Sequence, residues 1–418
     1  MDKEKFQEIF HRQMTDKYFT PKELMYSSDA MLYLSPFDYK NYLDHLDELL
    51  NTKDFAKYVF PLKTFNSKHF YYLLSNEIQC LLDNYLDLVK ESTQKNQPVV
   101  SPKFDEDIRQ SRIYSEIEGT LNVEEVPTTR KRLIELIEKN MNPQNQNDII
   151  IKNMDEAIRF VYTLPKFNKE NLLRLYQILS KDCLKEEDKI KEGSYYRDDE
   201  VEVDHYVGCP KDLLEEYMDS LFDFVNKELK EENTLTQLFL PHICHYYIVY
   251  IHPYFDYNGR TARMVSFWIN LLIDHSILPP LISEAINQTK NDYYKALRDT
   301  RNSRNDLSYF LLYIFKTTIQ YILCYKDLDS IDQHVKNQGN ILTRTELNYV
   351  KRILITYKGK FAYQDFIKNC QIDITKQGAF KILNKFVGLK ILNVVNTPSK
   401  VKLFDINHKM VKYTRIPE

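Results

Sequence analysis

The stretch HPYFDYNGRTAR, residues 252–263, holds a histidine, an aspartate, an Asn-Gly pair and two arginines within twelve residues. Between strands, an Asn-Gly pair is typical of a hairpin turn. Here the flanking segments are apolar at helical spacing, and they predict helices over 241–251, begun by Pro241, and over 261–276. The pair therefore predicts a turn that leads into the N-terminus of a buried helix.

Such a helix N-terminus presents unpaired backbone N–H groups and the positive end of the helix dipole, and both favour an anion. Arg260 and Arg263 are three residues apart, so they share one face of the predicted helix. Asp256 is the kind of oxygen ligand that Mg²⁺ takes beside phosphate oxygens. His252 is a candidate general base. The combination favours the binding of a polyphosphate and chemistry on it.

Composition predicts a mainly α-helical protein. Only 8 of the 418 residues are glycine, whereas hydrophobic residues make up 43% and charged residues 28%. The six cysteines are scattered and form no CxxC pair, which argues against a zinc knuckle or a disulfide framework and favours a reducing compartment. The charged N-terminus MDKEKFQEIF and the lack of any run of about 20 apolar residues predict a cytoplasmic protein without a membrane span.

The charge distribution and the periodicity predict three regions: N-terminal helices over 1–104, a central domain over 105–328, and a separate tail over 341–418. Residues 69–90 have apolar residues at helical spacing, and 107–122 predict a helix that Gly119 closes. Between 192 and 206 the spacing alternates, which predicts a short hairpin.

The tail differs from the rest of the chain in charge. After residue 340 there are 15 Lys/Arg and 5 Asp/Glu, a net of +10, while the first 340 residues carry a net of −13. Its pattern predicts helices over 343–359, 362–372 and 373–388, followed by a wing around 396–399. This order is typical of a winged helix-turn-helix, and it makes DNA a candidate partner.

The stretch 252–263 resembles the signature of the Fic family, HxFx(D/E)GNGRxxR. Tyr254 stands where that signature has phenylalanine, and Tyr257 stands where it has its first glycine. The resemblance implies a helical bundle with a β-hairpin flap and the transfer of AMP from ATP, with Mg²⁺, to a Ser, Thr or Tyr hydroxyl of a protein. The related Doc branch, which phosphorylates, has lysine in place of Gly259, so nucleotidyl transfer is favoured.

The resemblance also implies roles for single residues. His252 deprotonates the target hydroxyl, Asp256 holds Mg²⁺, and Arg263 takes the γ-phosphate. The anion hole is formed by Asn258, Gly259 and Arg260. The flap that pins the target segment comprises Gly193, Tyr196, Arg197, Val201 and Val203, and the adenine wall comprises Tyr293 and Tyr294.

The segment SEIEG, residues 115–119, resembles the family's inhibitory motif (S/T)xxxE(G/N), with Glu118 and Gly119 in the last two positions. By that likeness Glu118 pairs with Arg263 and keeps the γ-phosphate out of its productive place. Tyr114 stands where the motif has Ser or Thr. The prediction is an autoinhibited protein adenylyltransferase.

Two alternatives stand beside this prediction. One is a DNA-binding regulator in which the Fic part senses a nucleotide with little turnover. The other is metal binding through His242, His245 and His252, although the HExxH pattern is absent. De-adenylylation by the same site is a third outcome within the enzyme class. The target protein, self-modification and a homodimer are left open.

Overall fold

The computed structural model describes residues 1–29, 31–52, 57–94, 102–203, 206–231, 234–273, 282–357, 359–369, 374–396 and 402–412. They belong to two compact units, 1–316 and 317–418. The structure is mainly helical, which confirms the fold class that the sequence predicts.

The first unit begins with three helices: α1 (Lys3–Thr15), α2 (Pro21–Tyr26) and α3 (Pro36–Leu50). Asp2, Thr20 and Ser35 precede them, and each side chain accepts a hydrogen bond from a backbone N–H of the following turn. These caps satisfy donors that a helix leaves unpaired at its start, and they fix where each helix begins.

A β-hairpin follows, made of β1 (Lys57–Lys63) and β2 (His69–Leu73), and α4 (Asn76–Gln94) comes after it. The prediction that 69–90 form one helix is therefore wrong at its start. The run FYYL suits a buried strand as well as a helix, and the antiparallel partner β1 decides between them. Ser67, at φ 61°, makes the turn.

The middle of the unit contains α5 (Pro102–Val123), α6 (Arg130–Ile137), α7 (Gln146–Tyr162), α8 (Lys169–Ser180), the strands β3 (Glu202–Val203) and β4 (Tyr206–Val207), and α9 (Leu214–Glu231). Gly119 does not close α5 as predicted. It lies in the helix interior, where a Cβ would come within 2.5 Å of the Glu284 backbone nitrogen. Glycine is required there because two helices cross closely.

The predicted pair of buried helices is present as α10 (Thr234–Ile251) and α11 (Asn258–Ile273). Pro241 lies inside α10 and does not begin it, contrary to the prediction. An internal proline removes one backbone hydrogen bond. The buried neighbours Phe239, Leu240 and Ile243 supply apolar packing that offsets this loss.

The unit continues with α12 (Ile282–Gln288), α13 (Lys290–Asn302) and α14 (Ser308–Asn337), whose residues after 316 belong to the second unit. The N-terminal region packs directly on α10 and on the connection between α13 and α14. The Tyr18 hydroxyl bonds the buried Asp306 carboxylate, and the Phe65 N–H donates to the Tyr250 hydroxyl at 3.1 Å. The predicted boundary near residue 104 thus falls inside one compact unit.

The second unit contains α15 (Arg344–Thr356), β5 (Phe361–Ala362), α16 (Tyr363–Asn369), α17 (Lys376–Gly388), β6 (Leu392–Asn396) and β7 (Lys402–Ile406). The strands form an antiparallel sheet in the order β5-β7-β6. The three helices and the hairpin appear in the order that the sequence predicts. The tip of the hairpin, 397–400, lies outside the described residues, and the winged-helix identification stays a prediction.

In the described part of the chain, no helix has both the length and the hydropathy of a membrane span.

Candidate active site

The stretch HPYFDYNGRTAR occupies the junction between α10 and α11, with residues 252–257 as the connection. His252 and Tyr257 have left-handed backbone conformations, at φ 57° and 65°. The Thr261 N–H donates to the Tyr257 carbonyl at 2.9 Å, the first such bond of α11. The N–H groups of residues 258–260 precede it and have no intrahelical acceptor. The predicted turn into a helix N-terminus is therefore present.

Asn258 holds this connection in shape. Its Oδ1 accepts from the Tyr254 N–H at 3.0 Å, and its Nδ2 donates to the Tyr254 carbonyl at 2.8 Å. The Tyr254 ring is fully buried and stacks on Tyr176 at a centroid distance of 3.7 Å. Tyr254 thus fills a buried position of the connection. The Asn258 side chain is committed to the loop, so Asn258 offers an anion its backbone N–H only.

Arg260 is nearly buried, with 6% of its surface exposed, and its Nε and Nη1 have no hydrogen-bond partner among the described residues. Its guanidinium carbon lies 3.4 Å from the centroid of the Tyr257 ring, and its Nη2 lies 3.8 Å from Asp256 Oδ1. A buried cation with unpaired donors is costly unless an anion joins it. Arg260 is accordingly the side chain best placed to receive one.

Arg263 is 1% exposed, and its guanidinium already has hydrogen-bond partners. Its Nη2 donates to Glu124 Oε1 at 2.5 Å, and its Nε donates to the Thr120 hydroxyl at 2.9 Å. Burial disfavours the Glu124 carboxylate, but the Arg263 guanidinium outweighs it and lowers the pKa of Glu124. The two residues therefore form a charged pair at the site.

The glutamate beside Arg263 is Glu124, whereas the sequence predicts Glu118 for that contact. Glu118 forms an ion pair with Arg130 at 3.6 Å. The helix period explains the difference. Thr120 lies in the last turn of α5 and Glu124 directly follows the helix, with its N–H still bonded to the Thr120 carbonyl at 3.3 Å, so the two residues share a face, whereas Glu118 projects from another face. The signal that the prediction missed is the spacing Thr120-x-x-x-Glu124, which fits the Ser/Thr and Glu positions of the motif, and the structure decides between Glu124 and Glu118.

Gly259 makes room for that carboxylate. A Cβ at this position would lie 2.7 Å from Glu124 Oε1 and 3.4 Å from Arg263 Nη1. The absence of a side chain at 259 thus lets Glu124 reach Arg263 across the start of α11.

His252 is half-buried at the end of α10, and burial lowers its pKa to about 4. The charge of the nearby Arg197 acts in the same direction, while Asp256 opposes it. The imidazole is therefore neutral at physiological pH, which is the form that can accept a proton.

Arg197 was predicted to belong to the flap that meets a target, but the structure buries it beneath the connection 252–257. It is 3% exposed, and its Nε donates to the His252 carbonyl at 2.9 Å. Further donors reach the carbonyls of Asp199 and Cys209. Tyr196 is also buried, at 5% exposure. These two residues anchor the flap and do not present a surface to a partner.

The remaining flap is the predicted hairpin, β3 paired antiparallel with β4. Gly193 precedes it at φ 82°, and the Val201 carbonyl accepts from the Gly208 N–H at 3.0 Å. Val203 and Val207 are 36% and 58% exposed. Exposed apolar side chains on a short open strand suit the addition of an extended segment. Strand addition itself stays a prediction.

Tyr293 and Tyr294 differ in their surroundings. The Tyr293 ring is 2% exposed, and its hydroxyl lies 2.8 Å from His245 Nε2. This placement makes Tyr293 part of the core. Tyr294 is 37% exposed and is the ring of the pair that a ligand can contact.

The histidine hypothesis for metal binding receives no support. His242 and His245 are buried, and His245 is engaged with Tyr293. Within the described ranges no three His, Cys, Asp or Glu side chains are grouped as metal ligands. Asp256 is different, because its side chain is 60% exposed and accepts from the Tyr257 N–H at 2.5 Å. One exposed carboxylate beside an anion site fits Mg²⁺, which takes its other ligands from phosphates and water.

Comparison with known proteins agrees with this geometry. Residues 166–269 match the model of the Fic/DOC family. A protein adenylyltransferase Fic from Nematostella vectensis is 32% identical over 135 residues, which cover 32% of this chain and 29% of that protein. The protein adenylyltransferase fic-1 of Caenorhabditis elegans is 28% identical over 177 residues, 41% of this chain and 32% of that protein. The chain thus spans less than a third of the length of these curated relatives.

Among solved structures, a Fic family protein from Desulfovibrio desulfuricans superposes with a TM-score of 0.51 at 15% sequence identity. The superposition covers 81% of this chain and 98% of the other, and at this identity it speaks to the fold alone. The family match includes the junction of α10 and α11 with its arginines and histidine. Residues 166–269 of the chain are therefore similar to the Fic/DOC family.

Proposed function

We propose that this domain transfers AMP from ATP to a hydroxyl group of a protein. The observation that carries the proposal is Arg260, a buried guanidinium whose Nε and Nη1 have no partner in the described part of the chain and which lies beside the N–H groups that begin α11. Preorganised donors of this kind stabilise the charge that develops on phosphoryl oxygens. The names of the curated relatives, protein adenylyltransferases, support the same chemistry.

Each residue of the junction has a part in this proposal. Neutral His252 takes the proton from the attacking hydroxyl. The backbone N–H groups of residues 258–260 and the Arg260 side chain bind the phosphates. Asp256 would hold Mg²⁺, which supplies charge neutralisation between the phosphates when bound. Because Gly259 has no side chain, the N-terminus of α11 stays open, as the resemblance to nucleotidyl transferases implies.

We place the inhibitory function on Glu124. Its carboxylate occupies the Arg263 donors that a γ-phosphate needs, and the buried ion pair must open before a phosphate can replace it. Two anions cannot share one buried guanidinium without strong repulsion. Release of α5 from Arg263 is thus the step that activates the site.

The deciding experiment is intact-mass analysis after incubation with ATP and Mg²⁺, on Glu124→Ala, on Glu118→Ala, and on Glu124→Ala combined with His252→Ala. We expect an added AMP mass, on the chain itself or on a supplied cell extract, with Glu124→Ala alone. Glu118→Ala is the matched control, because it removes the partner of Arg130 and leaves Arg263 paired.

Two results would contradict the proposal. Activation by Glu118→Ala and not by Glu124→Ala would return the inhibitory role to Glu118. Absence of both ATP binding and an adduct in every variant would remove the adenylyltransferase function. The cytoplasmic location belongs to the same proposal, and the free state of the described cysteines supports it.

A second candidate function is DNA binding by the second unit. A groove there is lined by Lys390, Lys409 and Lys412, with Ser330, His334, Asn393, Asn407 and Met410. Among its described lining residues there is no carboxylate. Lysines attract phosphates, and the attraction weakens with salt.

This candidate is tested on the full chain by fluorescence anisotropy with a duplex of mixed sequence over a salt series. We expect alanine at the three groove lysines to weaken binding and flatten the salt slope. The control variant carries alanine at three exposed lysines of the first unit, Lys131, Lys185 and Lys191. Equal binding by both variants would contradict the groove as the site.

A further inference from the structure

Tyr257 occupies a backbone position that favours glycine. Its φ is 65°, a left-handed conformation that costs energy for a residue with a Cβ. It is nevertheless 4% exposed and lies inside the junction. The ring does not narrow the space above the N-terminus of α11, because it is turned into the protein. A large side chain at such a position needs a contact that offsets the strained backbone.

That contact is Arg260. The Arg260 guanidinium carbon lies 3.4 Å from the centre of the Tyr257 ring. A cation stacked on an aromatic face is attracted to it, and the attraction is stronger when both are shielded from water. The ring thereby limits the rotamers of an arginine whose Nε and Nη1 find no partner among the residues that the structure describes.

The far end of the ring is held as well. The Tyr257 hydroxyl interacts with the Cys183 thiol. Cys183 in turn accepts from Asn153 Nδ2 at 3.6 Å. The N–H of Tyr257 donates to Asp256 Oδ1 at 2.5 Å. The ring is therefore fixed at its backbone and at its hydroxyl, and Arg260 rests on a rigid surface.

We propose that Tyr257 is a positioning residue that holds the Arg260 guanidinium with its unpaired donors toward the phosphates of the nucleotide. This inference rests on the proposed function. An arginine that is already ordered loses less conformational freedom when an anion binds. Tyr257 thus raises the affinity for the nucleotide through Arg260 without touching the nucleotide itself.

The test is a double-mutant cycle, with the dissociation constant of ATP measured by calorimetry on the full chain carrying Glu124→Ala. In that background Tyr257→Leu should weaken ATP binding about tenfold. With Arg260→Gln also present, Tyr257→Leu should change the affinity less than about twofold, because its route of action is gone.

Two further variants separate positioning from a general effect on folding. Tyr257→Phe keeps the ring and should restore most of the affinity. Tyr257→Gly relieves the backbone but removes the ring, so it should bind ATP as weakly as Tyr257→Leu. Equal losses from Tyr257→Leu with and without Arg260, or full affinity in Tyr257→Gly, would overturn the inference alone. Failure of the Glu124→Ala parent to bind ATP would overturn the proposed function, and this inference with it.

Discussion

Replacing Glu116 by glutamine should remove a pH-dependent loss of stability from the crossing of α5 and α12. Glu116 is 3% exposed and accepts hydrogen bonds from the Ser283 N–H, at 3.1 Å, and from the Ser283 hydroxyl. Burial raises the pKa of Glu116 from 4.5 to about 7, although Ser283 and Arg263 oppose the shift and Glu284 adds to it. The folded protein therefore prefers this carboxyl group protonated.

The magnitude follows from this shift. A group with a raised pKa in the folded state gives its full stability below the unfolded pKa and loses it as the pH rises through the folded pKa. The rise in the pKa of Glu116 from 4.5 to about 7 lowers the unfolding free energy by about 3 kcal/mol in all, once the pH is high. Roughly 2.5 kcal/mol of this is lost between about pH 5 and about pH 9. Glutamine carries no charge, so the variant should not show this loss.

The assay is urea unfolding at several pH values, followed by the fluorescence of the single tryptophan, Trp268, which is buried in the first unit. The difference in unfolding free energy between Glu116→Gln and the wild type should rise by about 2.5 kcal/mol from about pH 5 to about pH 9. The control Glu187→Gln replaces an exposed carboxylate and should change the curve by less than about 0.5 kcal/mol. Parallel curves for Glu116→Gln and the wild type would refute the reasoning.

Three further outcomes are expected. Gly119→Ala should lower the unfolding free energy by about 1–3 kcal/mol, because its Cβ meets the Glu284 backbone, whereas Gly388→Ala, with nothing within 4 Å, should be nearly neutral; equal effects in thermal melts would contradict the close crossing. Arg197→Ala should lower the thermal midpoint and the transfer rate together, because the carbonyls of His252, Asp199 and Cys209 each lose a hydrogen-bond donor, at about 1–3 kcal/mol each. Unchanged kinetics would show that the hydrogen bonds of Arg197 do not position His252. In a Glu124→Ala background the transfer rate should stay level from about pH 8 to about pH 5, because His252 stays neutral down to a pKa of about 4; a half-maximal rate near pH 6.5 would show an unshifted histidine.

The site motif was predictable from the sequence because its residues are adjacent along the chain. A turn between two apolar helices is set by local pattern, and residues 252–263 carry the histidine and the carboxylate on that turn and both arginines at the start of the helix that follows. The flap hairpin and the helices of the second unit were predictable for the same reason. In each case short-range periodicity and capping residues determine the element.

Some predictions were wrong because the structure of a segment depends on the element that packs against it. Residues 69–73 form a strand because β1 is available to pair with them, and Gly119 lies inside a helix because α12 crosses there. Pro241 stays within α10 because burial around it offsets the lost hydrogen bond. None of these neighbours is visible in the local sequence.

The sequence by itself indicated the resemblance of the site to the Fic family, the mainly helical fold and a helix that starts close to the Asn258-Gly259 pair. Tertiary structure alone decided which glutamate reaches Arg263, where the Tyr257 ring lies, and that Arg197 is buried beneath His252. The physical reason is that a motif is fixed by covalent order, whereas the pairing of Glu124 with Arg263 joins residues 139 positions apart. Only the tertiary fold brings the C-terminal end of α5 within hydrogen-bond distance of Arg263 on α11.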